Sequence, residues 1–362
     1  MNKKNQKSIY DKNSINSNKK KKLLKTIGLV LIIIIVISLG VLIGGYFYLQ
    51  SMVGKINHID IDKSVIEINE EVKNELEKYG YRTIALFGVD SRSNQLEKGT
   101  RSDGIILAII DEKTKKIDLV SVYRDSYLQI PGRSMDKVTH AYAYGGAELS
   151  MSTLNMNLDL NITEFATVNF NVLSDIVDSI DGVEIKITSD EVKYINKYIS
   201  EVSKVSKKES SSIKRAGTYN LDGVQAVAYS RIRYTSGGDY RRAERMRTVL
   251  SAIISKAKKL NITKLNKLAN KLLPEIYTNI DSNDIISMIP QIAAYSVSNS
   301  SGWPYEVKGA TIKKVWYGIP VTLEENVKKL HQEFYSKQTD YKVSNKVKEI
   351  SNQIIKNSGY SK

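Results

Sequence analysis

Apolar and polar positions alternate in blocks along this chain, and the longest apolar block lies near the N-terminus. Residues 27–50 (IGLVLIIIIVISLGVLIGGYFYLQ) carry no charged side chain, and such a run is long enough for a helix that crosses a bilayer. Residues 1–26 contain nine lysines and one acidic residue, Asp11. The positive-inside rule therefore predicts a cytoplasmic basic tail and an extracellular remainder. The long apolar run, with no Ala-x-Ala site after it, favours an uncleaved signal-anchor over a cleaved signal peptide.

Three shorter apolar runs predict the centre of a sheet. They are Tyr81–Val89, Gly104–Ile110 and Lys116–Tyr123, and the five polar residues 111–115 between the last two predict a hairpin. Because these runs are continuously apolar rather than alternating, the strands should be buried on both faces, with helices on each side.

The remaining pattern predicts further elements of one α/β domain. Helical periodicity is expected in 64–79, 147–158, 171–180 and 240–260, and strands in 165–170, 183–187 and 303–316. Polar residues 200–216 are typical of a surface loop. The predicted fold is a three-layer α/β/α domain with a central mixed sheet, preceded by one N-terminal transmembrane helix. The predicted divisions are a basic tail (1–26), a transmembrane helix (27–50), a stalk and leading helix (51–79), an extracellular domain (80–337) and a loosely attached tail (338–362).

The amino-acid composition excludes some kinds of site and partner. The chain has no cysteine, which excludes disulfides, thiolate metal sites and a cysteine nucleophile. Its formal net charge is +15, which in a cytoplasmic protein would suggest nucleic acid. The predicted topology places the folded part outside the cell, so lipid phosphates and anionic wall polymers are the expected partners, and nucleic acid is not.

The arginines are confined to one region. All twelve lie between Arg82 and Arg247, and six lie between Arg231 and Arg247, whereas the lysines are spread over the whole chain. The planar guanidinium group pairs with two oxygens of one phosphate and stays charged when partly buried. This confinement predicts a site for a multiply anionic ligand, with structural ion pairs as the alternative.

Two aspartates stand where predicted strands end and begin. Asp90 follows the first strand and is close to Arg92, while Asp103 precedes the second strand and is close to Arg101. If these strands are neighbours, both carboxylates meet at one sheet edge. Two carboxylates with no histidine or cysteine nearby suit a hard divalent cation such as Mg2+. Two aspartates that cap turns are the alternative.

The other candidate arginines also lie at element boundaries. Arg124 follows the third strand, where α/β proteins commonly bind ligands. Arg231 and Arg233 alternate, so on an extended segment both face one side. Arg242 and Arg245 are three residues apart in what is predicted to be the first turn of a helix. Cations there oppose the helix dipole unless an anion lies between them.

Five motifs in order carry a resemblance: GVDSR followed by RSD, SVYRD, KVTHAYAYGG, LDGVQAVAYSRIR and GDYRRAER. Over roughly residues 80–335 the chain resembles the LytR-CpsA-Psr family of membrane-anchored envelope enzymes. The resemblance implies an α/β/α domain that holds a polyprenyl pyrophosphate lipid. It also implies Mg2+-assisted transfer of a glycopolymer, such as teichoic acid or capsule, from that lipid to an N-acetylmuramic acid hydroxyl of peptidoglycan, with Mn2+ as an alternative ion.

The resemblance also implies residue roles. Asp90 and Asp103 would hold the metal, and these two with Arg124 and Arg231 would be catalytic. The pyrophosphate would be bound by Arg92, Arg101, Arg124, Arg231, Arg233, Arg242 and Arg245. The chain departs from the family pattern at Tyr123, where proline is usual, and at Met246 and Arg247, where two glutamines are common. His140 lies in a matching stretch and is interpreted as a packed, structural histidine.

Two other functions remain open at this stage. A pyrophosphatase acting on the same lipid would use the same site with water as the attacking group. A non-catalytic lipid-phosphate binding protein would keep the arginines without needing both Asp90 and Asp103. An isoprenoid ligand also requires an apolar tunnel, for which residues 149–158 and 172–180 are candidates unless they form ordinary core.

Overall fold

The computed structural model describes residues 45–51, 53–72, 75–89, 96, 99–261, 263–264, 270–271, 273–288 and 291–361. The chain forms two compact units, residues 1–54 and residues 55–362. Residues 45–51 of the first unit are helical. Across the part of the chain that is described, no helix is both long and apolar enough to cross a membrane. The predicted basic tail and most of the predicted span 27–50 lie outside the described residues.

A seven-stranded mixed sheet forms the centre of the second unit. Its strands stand in the order β1-β10-β7-β2-β3-β4-β11, with β2 antiparallel to β3, β3 antiparallel to β4, and β2 parallel to β7. The strands of this sheet are β1 Asn57–His58, β2 Tyr81–Val89, β3 Ser102–Asp111, β4 Lys116–Val122, β7 Glu164–Asn169, β10 Tyr277–Thr278 and β11 Ser296–Trp303.

Three two-stranded sheets and a set of helices surround this sheet. The additional strands are β5 Tyr127–Gln129, β6 Met135–Lys137, β8 Val183–Ile187, β9 Gly217–Leu221, β12 Val307–Ile312 and β13 Val315–Pro320. The helices of the second unit include Glu75–Lys78, Val138–Leu158, Phe170–Ser179, Ser189–Ser206, Gly223–Ser230, Gly238–Ala257, Ser282–Met288, Leu323–Phe334 and Asn345–Ser358.

Both faces of the central sheet are covered, as the continuous apolar strands predict. Phe87 and Leu107 point into the main core, which the helices Val138–Leu158 and Leu323–Phe334 also fill. Their strand neighbours, including Ile106, pack on the other face against the helix Gly238–Ala257. The prediction of a mixed α/β domain with a central mixed sheet is therefore confirmed.

One predicted segment on the N-terminal side differs in the structure. The helix predicted for residues 64–79 is wrong, because only a 3-10 turn at Lys63–Val65 and the short helix Glu75–Lys78 form among its described residues. Ile66 and Leu76 still reach the main core, but Val65 is half exposed. The apolar spacing therefore reflected core contacts made by a largely non-helical segment.

The surface loop predicted for residues 200–216 is wrong in its first part. The helix Ser189–Ser206 continues through it, and Ile195, Ile199 and Val202 fill a second, smaller core. Its start is fixed by a capping box in which Thr188 and Glu191 satisfy each other's backbone N–H groups.

The C-terminal residues 338–362 are also not a loose tail. They contain the helix Asn345–Ser358, whose Val347, Ile350 and Ile354 are buried in the main core. These residues are spaced at helical intervals in a mainly polar sequence, so their burial depends on the helices Leu323–Phe334 and Val138–Leu158, against which this helix packs.

Candidate active site

The start of β3 places Asp103 at an edge of the central sheet. Val89 at the end of β2 pairs with Ser102, so the two strand ends are neighbours, as predicted. The side chain of Asp103 is only 13% exposed. Asp90 and Arg92, which were predicted to join it, lie outside the described residues.

One threonine joins the segments that carry Asp103 and Arg124. The backbone N–H of Thr139 donates to the carbonyl oxygen of Arg124 at 3.1 Å, and its hydroxyl donates to the carbonyl oxygen of Ser102 at 2.9 Å. Thr139 is fully buried in the first turn of the helix Val138–Leu158. The KVTHAYAYGG stretch therefore contributes to the site by fixing backbone positions.

Three arginines converge on the Asp103 carboxylate. Arg124 Nη1 donates to its Oδ1 at 2.5 Å, and Arg242 Nη2 donates to its Oδ2 at 2.9 Å. Arg233 Nη2 lies 4.0 Å from Oδ2, and the Nε atom of the same side chain lies 3.1 Å from Asp239 Oδ1. Two distant stretches of the sequence, one with Arg124 and one with Arg233 and Arg242, thus meet at one carboxylate.

Burial and neighbouring charges have opposite effects on the pKa values of Asp103 and Arg242. Burial disfavours the ionised form of Asp103, but the charges of Arg242 and Arg124 outweigh it and hold the pKa of Asp103 below its ordinary value. Burial lowers the pKa of Arg242, and the Asp103 charge only partly offsets this effect. Asp103 is therefore a weak base and a fixed negative charge at neutral pH.

Arg242 keeps unused hydrogen-bonding capacity. It is 4% exposed, and its Nε and Nη1 atoms donate no hydrogen bond to any residue that the structure describes. A carboxylate oxygen of Asp239 lies 3.7 Å from Nη1, beyond hydrogen-bonding distance. Buried donors without acceptors are costly, so these two atoms suit the oxygens of an anionic ligand.

One cavity of about 470 Å3 opens on this cluster and is lined by arginine. Among the described residues, Arg101, Arg124, Arg231, Arg233 and Arg242 face it together with one carboxylate, that of Asp103. Five of the seven predicted pyrophosphate-binding arginines are therefore brought together here. The excess of guanidinium groups over carboxylates suits a ligand with at least two negative charges.

A second cavity of about 280 Å3 meets the first, and Asp103, Arg124 and Arg242 line both. Its other walls are mainly apolar or aromatic and come from β3, β4, the helix Gly238–Ala257 and the β12–β13 hairpin. They include Ile106, Val122, Tyr123, Tyr240, Met246 and Trp316.

The helix faces predicted as tunnel walls do not line either cavity. Met151 and Leu154 belong to the main core, and Val177 and Ile180 belong to the smaller core. The alternative reading, ordinary core, applies to them. The apolar cavity instead begins at Tyr123, one of the positions where the chain departs from the family pattern.

The local geometry of two arginine pairs differs from the prediction. Arg231 caps the C-terminus of the helix Gly223–Ser230 in a helical conformation, so it does not alternate with Arg233 on an extended strand. Its guanidinium carbon instead lies 5.5 Å from the ring centre of Phe170 and 5.9 Å from that of Tyr198. The next helix begins at Gly238, so Arg242 sits in its second turn rather than its first.

Arg245 does not line the arginine cavity. Its Nε donates to Glu191 at 2.7 Å, Nη1 to the carbonyl oxygen of Ile232 at 3.0 Å, and Nη2 to Thr235 at 2.7 Å. With every guanidinium nitrogen engaged, Arg245 supports the loop that carries Arg233. Its predicted contact with pyrophosphate is therefore corrected to a positioning role.

Two tyrosines in the arginine cavity were missed. Tyr198 and Tyr234 both line it, and Tyr234 is 66% exposed. Tyr234 directly follows Arg233 in the sequence, and this adjacency is the only local feature that indicates its place in the cavity. Tyr198 lies in the helix Ser189–Ser206. This helix was not predicted, because the residues that follow Tyr198 are mainly polar.

The metal prediction rests on one described carboxylate. Among the described residues no group of three or more histidine, aspartate or glutamate side chains is arranged to hold a metal ion. Mg2+ is, however, commonly held by one or two carboxylates together with substrate phosphates and water. An ionised Asp103 beside a cavity suited to phosphate fits that type of site.

His140 lies next to Thr139 but lines neither cavity. Its Nδ1 is 2.8 Å from Asp136, and Asp136 also accepts a hydrogen bond from Tyr144 at 2.9 Å. This arrangement agrees with the structural role predicted for His140.

Comparison with known proteins gives one consistent family. The model of the LytR_cpsA_psr family matches residues 45–333. The polyisoprenyl-teichoic acid–peptidoglycan teichoic acid transferase TagT of Bacillus subtilis (strain 168) is 33% identical over 233 residues, 63% of this chain and 70% of that protein. The transferase TagU of the same organism is 32% identical over 274 residues, 73% of this chain and 81% of that protein.

A solved structure shares the fold and holds a lipid. It is the LytR-CPS2A-psr family protein YwtF (TagT) with bound octaprenyl pyrophosphate lipid, which matches with a TM-score of 0.52 at 29% identity and covers 71% of this chain and 91% of that one.

Proposed function

This chain belongs to the LytR-CpsA-Psr family, and on that premise we propose that it transfers a glycopolymer from a polyprenyl-pyrophosphate carrier to a peptidoglycan hydroxyl. The observation that carries the proposal is the pair of cavities with opposite linings that share Asp103, Arg124 and Arg242. A prenyl pyrophosphate has the same division, with an apolar chain on one side of a diphosphate and a polar glycan on the other. The relatives named above are teichoic acid transferases, which makes teichoic acid the first polymer to test.

The different linings of the two cavities define how the donor is oriented when it binds. The first isoprenoid units lie in the apolar cavity beside Tyr123 and Met246, and the diphosphate lies at the shared residues. The glycan then extends through the arginine cavity past Tyr234. The diphosphate oxygens then accept hydrogen bonds from the Nε and Nη1 atoms of Arg242, which have no hydrogen bond to any described residue.

The reaction is a displacement at the phosphorus atom that bears the glycan. The acceptor hydroxyl, that of N-acetylmuramic acid, forms a new P–O bond, and the bond from this phosphorus to the oxygen bridging the two phosphates breaks. Prenyl monophosphate leaves, the glycan becomes linked to peptidoglycan through a phosphodiester, and the hydroxyl proton is released. Such transfers depend mainly on alignment and charge neutralisation, which Arg124, Arg231, Arg233 and Arg242 supply.

The environment of Asp103 argues against it as the proton acceptor. Its two oxygens already accept hydrogen bonds from Arg124 and Arg242, and its pKa is lowered. A general base works best when its pKa lies near the working pH. Asp103 instead orients the two guanidinium groups before the donor binds.

We further assign Mg2+ to Asp103 and Asp90, with Mn2+ as an alternative. When bound, the ion would neutralise charge on the phosphate oxygens. Asp103 has lone pairs left on both oxygens for this role. Asp90 is included because it follows Val89 in the sequence and Val89 pairs with the strand that carries Asp103.

We place the site outside the cell membrane, anchored by residues 27–50. The support is the charge-free run after nine lysines. Since the chain has no cysteine, Ser361→Cys and Ser8→Cys can be compared in intact cells with a membrane-impermeant maleimide. Labelling of Ser361→Cys alone is expected, and labelling of Ser8→Cys alone would reverse the topology.

The function itself is tested by product analysis. Purified full-length chain is incubated with a synthetic prenyl-pyrophosphate-linked saccharide, Mg2+ and peptidoglycan fragments, and the products are identified by mass spectrometry. A phosphodiester-linked adduct that depends on the fragments supports transfer. Saccharide phosphate formed equally with and without fragments would identify a hydrolase, and no turnover with retained donor binding would identify a binding protein.

Neighbouring arginines provide a matched pair of variants. Arg242→Met removes the buried donor, whereas Arg241→Met removes an arginine that is 55% exposed and paired with Glu244. Loss of one charge-assisted interaction of about 1.5–3 kcal/mol should lower transfer by Arg242→Met roughly tenfold to a hundredfold. Arg241→Met should stay close to the unmodified chain. Equal rates for both variants would contradict the site assignment.

A further inference from the structure

The β12–β13 hairpin presents apolar and basic side chains to solvent. At its tip Val315 is 39% exposed and Trp316 is 48% exposed. Lys313 and Lys314 form the turn and are exposed. Between residues 307 and 320 the sequence contains no acidic residue. This combination is unusual for an element that faces only water, because large exposed apolar side chains commonly mark contact surfaces.

The exposure does not come from a loose segment, because the base of the hairpin is anchored. The N–H of Gly318 donates to the carbonyl oxygen of Asp125 at 2.9 Å, and Ile319 is fully buried in the main core. The ring of Tyr317 lies 4.7 Å from that of Tyr127. A fixed base therefore holds Trp316 in an exposed position.

The same hairpin forms part of the apolar cavity. Val307, Trp316 and Gly318 line it alongside Asp103 and Arg124. Thr311 pairs with Trp316, and Gly309 pairs with Gly318. Trp316 thus stands both on the surface and at the wall of the cavity, so whatever covers the hairpin tip also lies next to the cavity.

We propose that the tip of this hairpin, Lys313 to Trp316, docks into the headgroup region of an anionic lipid bilayer. Tryptophan is enriched at membrane–water interfaces, and lysines near the surface are attracted to anionic headgroups. The lysines and the absence of acidic residues favour a lipid surface over a protein partner, whose interfaces are usually poor in lysine.

The functional consequence rests on the proposed function. A prenyl chain anchored in the bilayer reaches the apolar cavity beside Trp316 with little exposure to water. The hairpin would thus present the cavity to the membrane that holds the donor. Docking itself requires neither donor nor transfer, so the two proposals can fail separately.

The chain contains its own optical probe. It has two tryptophans, of which Trp303 is fully buried with its ring N–H donating to the carbonyl oxygen of Asn326 at 3.2 Å. Full-length chain is reconstituted into vesicles of equal parts phosphatidylglycerol and phosphatidylcholine whose acyl chains are brominated near the headgroup. Bromine should quench the Trp316 emission, and the emission left in Trp316→Phe, which comes from Trp303, should be unaffected.

Charge reversal at the turn separates specific docking from mere proximity to the membrane. Lys313→Glu with Lys314→Glu leaves residues 1–54 unchanged and should abolish most of the quenching in anionic vesicles. These lysines line neither cavity, so binding of a short, soluble prenyl pyrophosphate should remain unchanged and report intact folding. Brominated vesicles of phosphatidylcholine alone should quench the unmodified chain less.

Two results would overturn the proposal. Equal quenching of the unmodified chain and Trp316→Phe would show that Trp316 does not meet lipid. Full quenching that survives the double charge reversal would show that the lysines do not direct the contact. A tip that binds a protein partner instead would give no quenching in vesicles of lipid alone. Loss of transfer with normal quenching would count against the proposed function only.

Discussion

Replacing Asp103 with asparagine isolates the charge at the centre of the site. The change keeps the shape of the side chain but leaves Arg124, Arg233 and Arg242 without the carboxylate that lies within 4.0 Å of each of them. The side chains of Asp103 and Arg242 are both largely buried, so solvent screens this pair weakly. Breaking a buried pair from one side costs about 3–5 kcal/mol. Because asparagine still accepts a hydrogen bond, we expect a loss near 3 kcal/mol in the free energy of unfolding, about 6–12 °C in Tm.

The same substitution should lower stability but strengthen the binding of pyrophosphate. In the unmodified chain the Asp103 carboxylate neutralises part of the positive charge of Arg124 and Arg242 and repels a diphosphate that binds to their remaining donors. Without that negative charge, and without metal, inorganic pyrophosphate should bind Asp103→Asn roughly tenfold more tightly, which corresponds to about 1.4 kcal/mol. Added Mg2+ should strengthen pyrophosphate binding by the unmodified chain but not by the variant, because the variant lacks the charged metal ligand.

The assay is calorimetric titration and thermal unfolding of the full-length chain with pyrophosphate, with and without Mg2+. Asp111→Asn is the matched control, since Asp111 lies at the other end of β3, is 14% exposed and pairs with Lys337 at 2.6 Å. It should lose stability yet keep both ligand responses. Weaker metal-free binding of pyrophosphate by Asp103→Asn, or a retained Mg2+ effect, would refute the reasoning.

Two further predictions concern residues outside the cavities. Arg245→Met should lower the free energy of unfolding by about 3–5 kcal/mol, because it leaves the buried Glu191 unpaired. The double variant with Glu191→Gln should recover part of this loss in urea titrations, and no recovery would mean that Arg245 acts elsewhere. Burial lowers the pKa of His331 from 6.5, so the folded chain keeps it neutral where the unfolded chain protonates it. Stability should therefore be unaffected by His331 above about pH 6.5 and fall below it by up to about 1.4 kcal/mol per pH unit, a slope that His331→Gln should reduce.

The centre of the fold could be predicted because its signals are local. The strands around Phe87 and Leu107 are apolar over most of their length, the strand around Val120 has apolar residues interspersed with Lys116, Asp118 and Ser121, and a short polar turn joins the last two strands. The C-terminal helix could not be recognised in the same way. Its Val347, Ile350 and Ile354 stand among mainly polar residues, and their burial depends on a surface formed by residues far away in the sequence.

The candidate site could also be predicted only where its signals are local in the sequence. Confinement of the arginines located the cluster, and strand boundaries located Asp103. Spacing did not separate Arg242 from Arg245, which are three residues apart on one helix. One donates to Asp103 and the other to Glu191, and both acceptors lie far from this helix in the sequence. The partner of a buried arginine is set by tertiary packing, which spacing along one helix does not encode.

The use of arginine at position 242 follows from the geometry of its surroundings. Nη2 is held by Asp103, while Nε and Nη1 point to other directions without a hydrogen bond to any described residue. A single ammonium group would be neutralised by Asp103 and would present no planar edge to a second anion. The guanidinium group can be fixed on one side and bind on the other. Asp103 therefore orients the donors before the ligand arrives, and little reorganisation is left for the moment when charge develops on the phosphates.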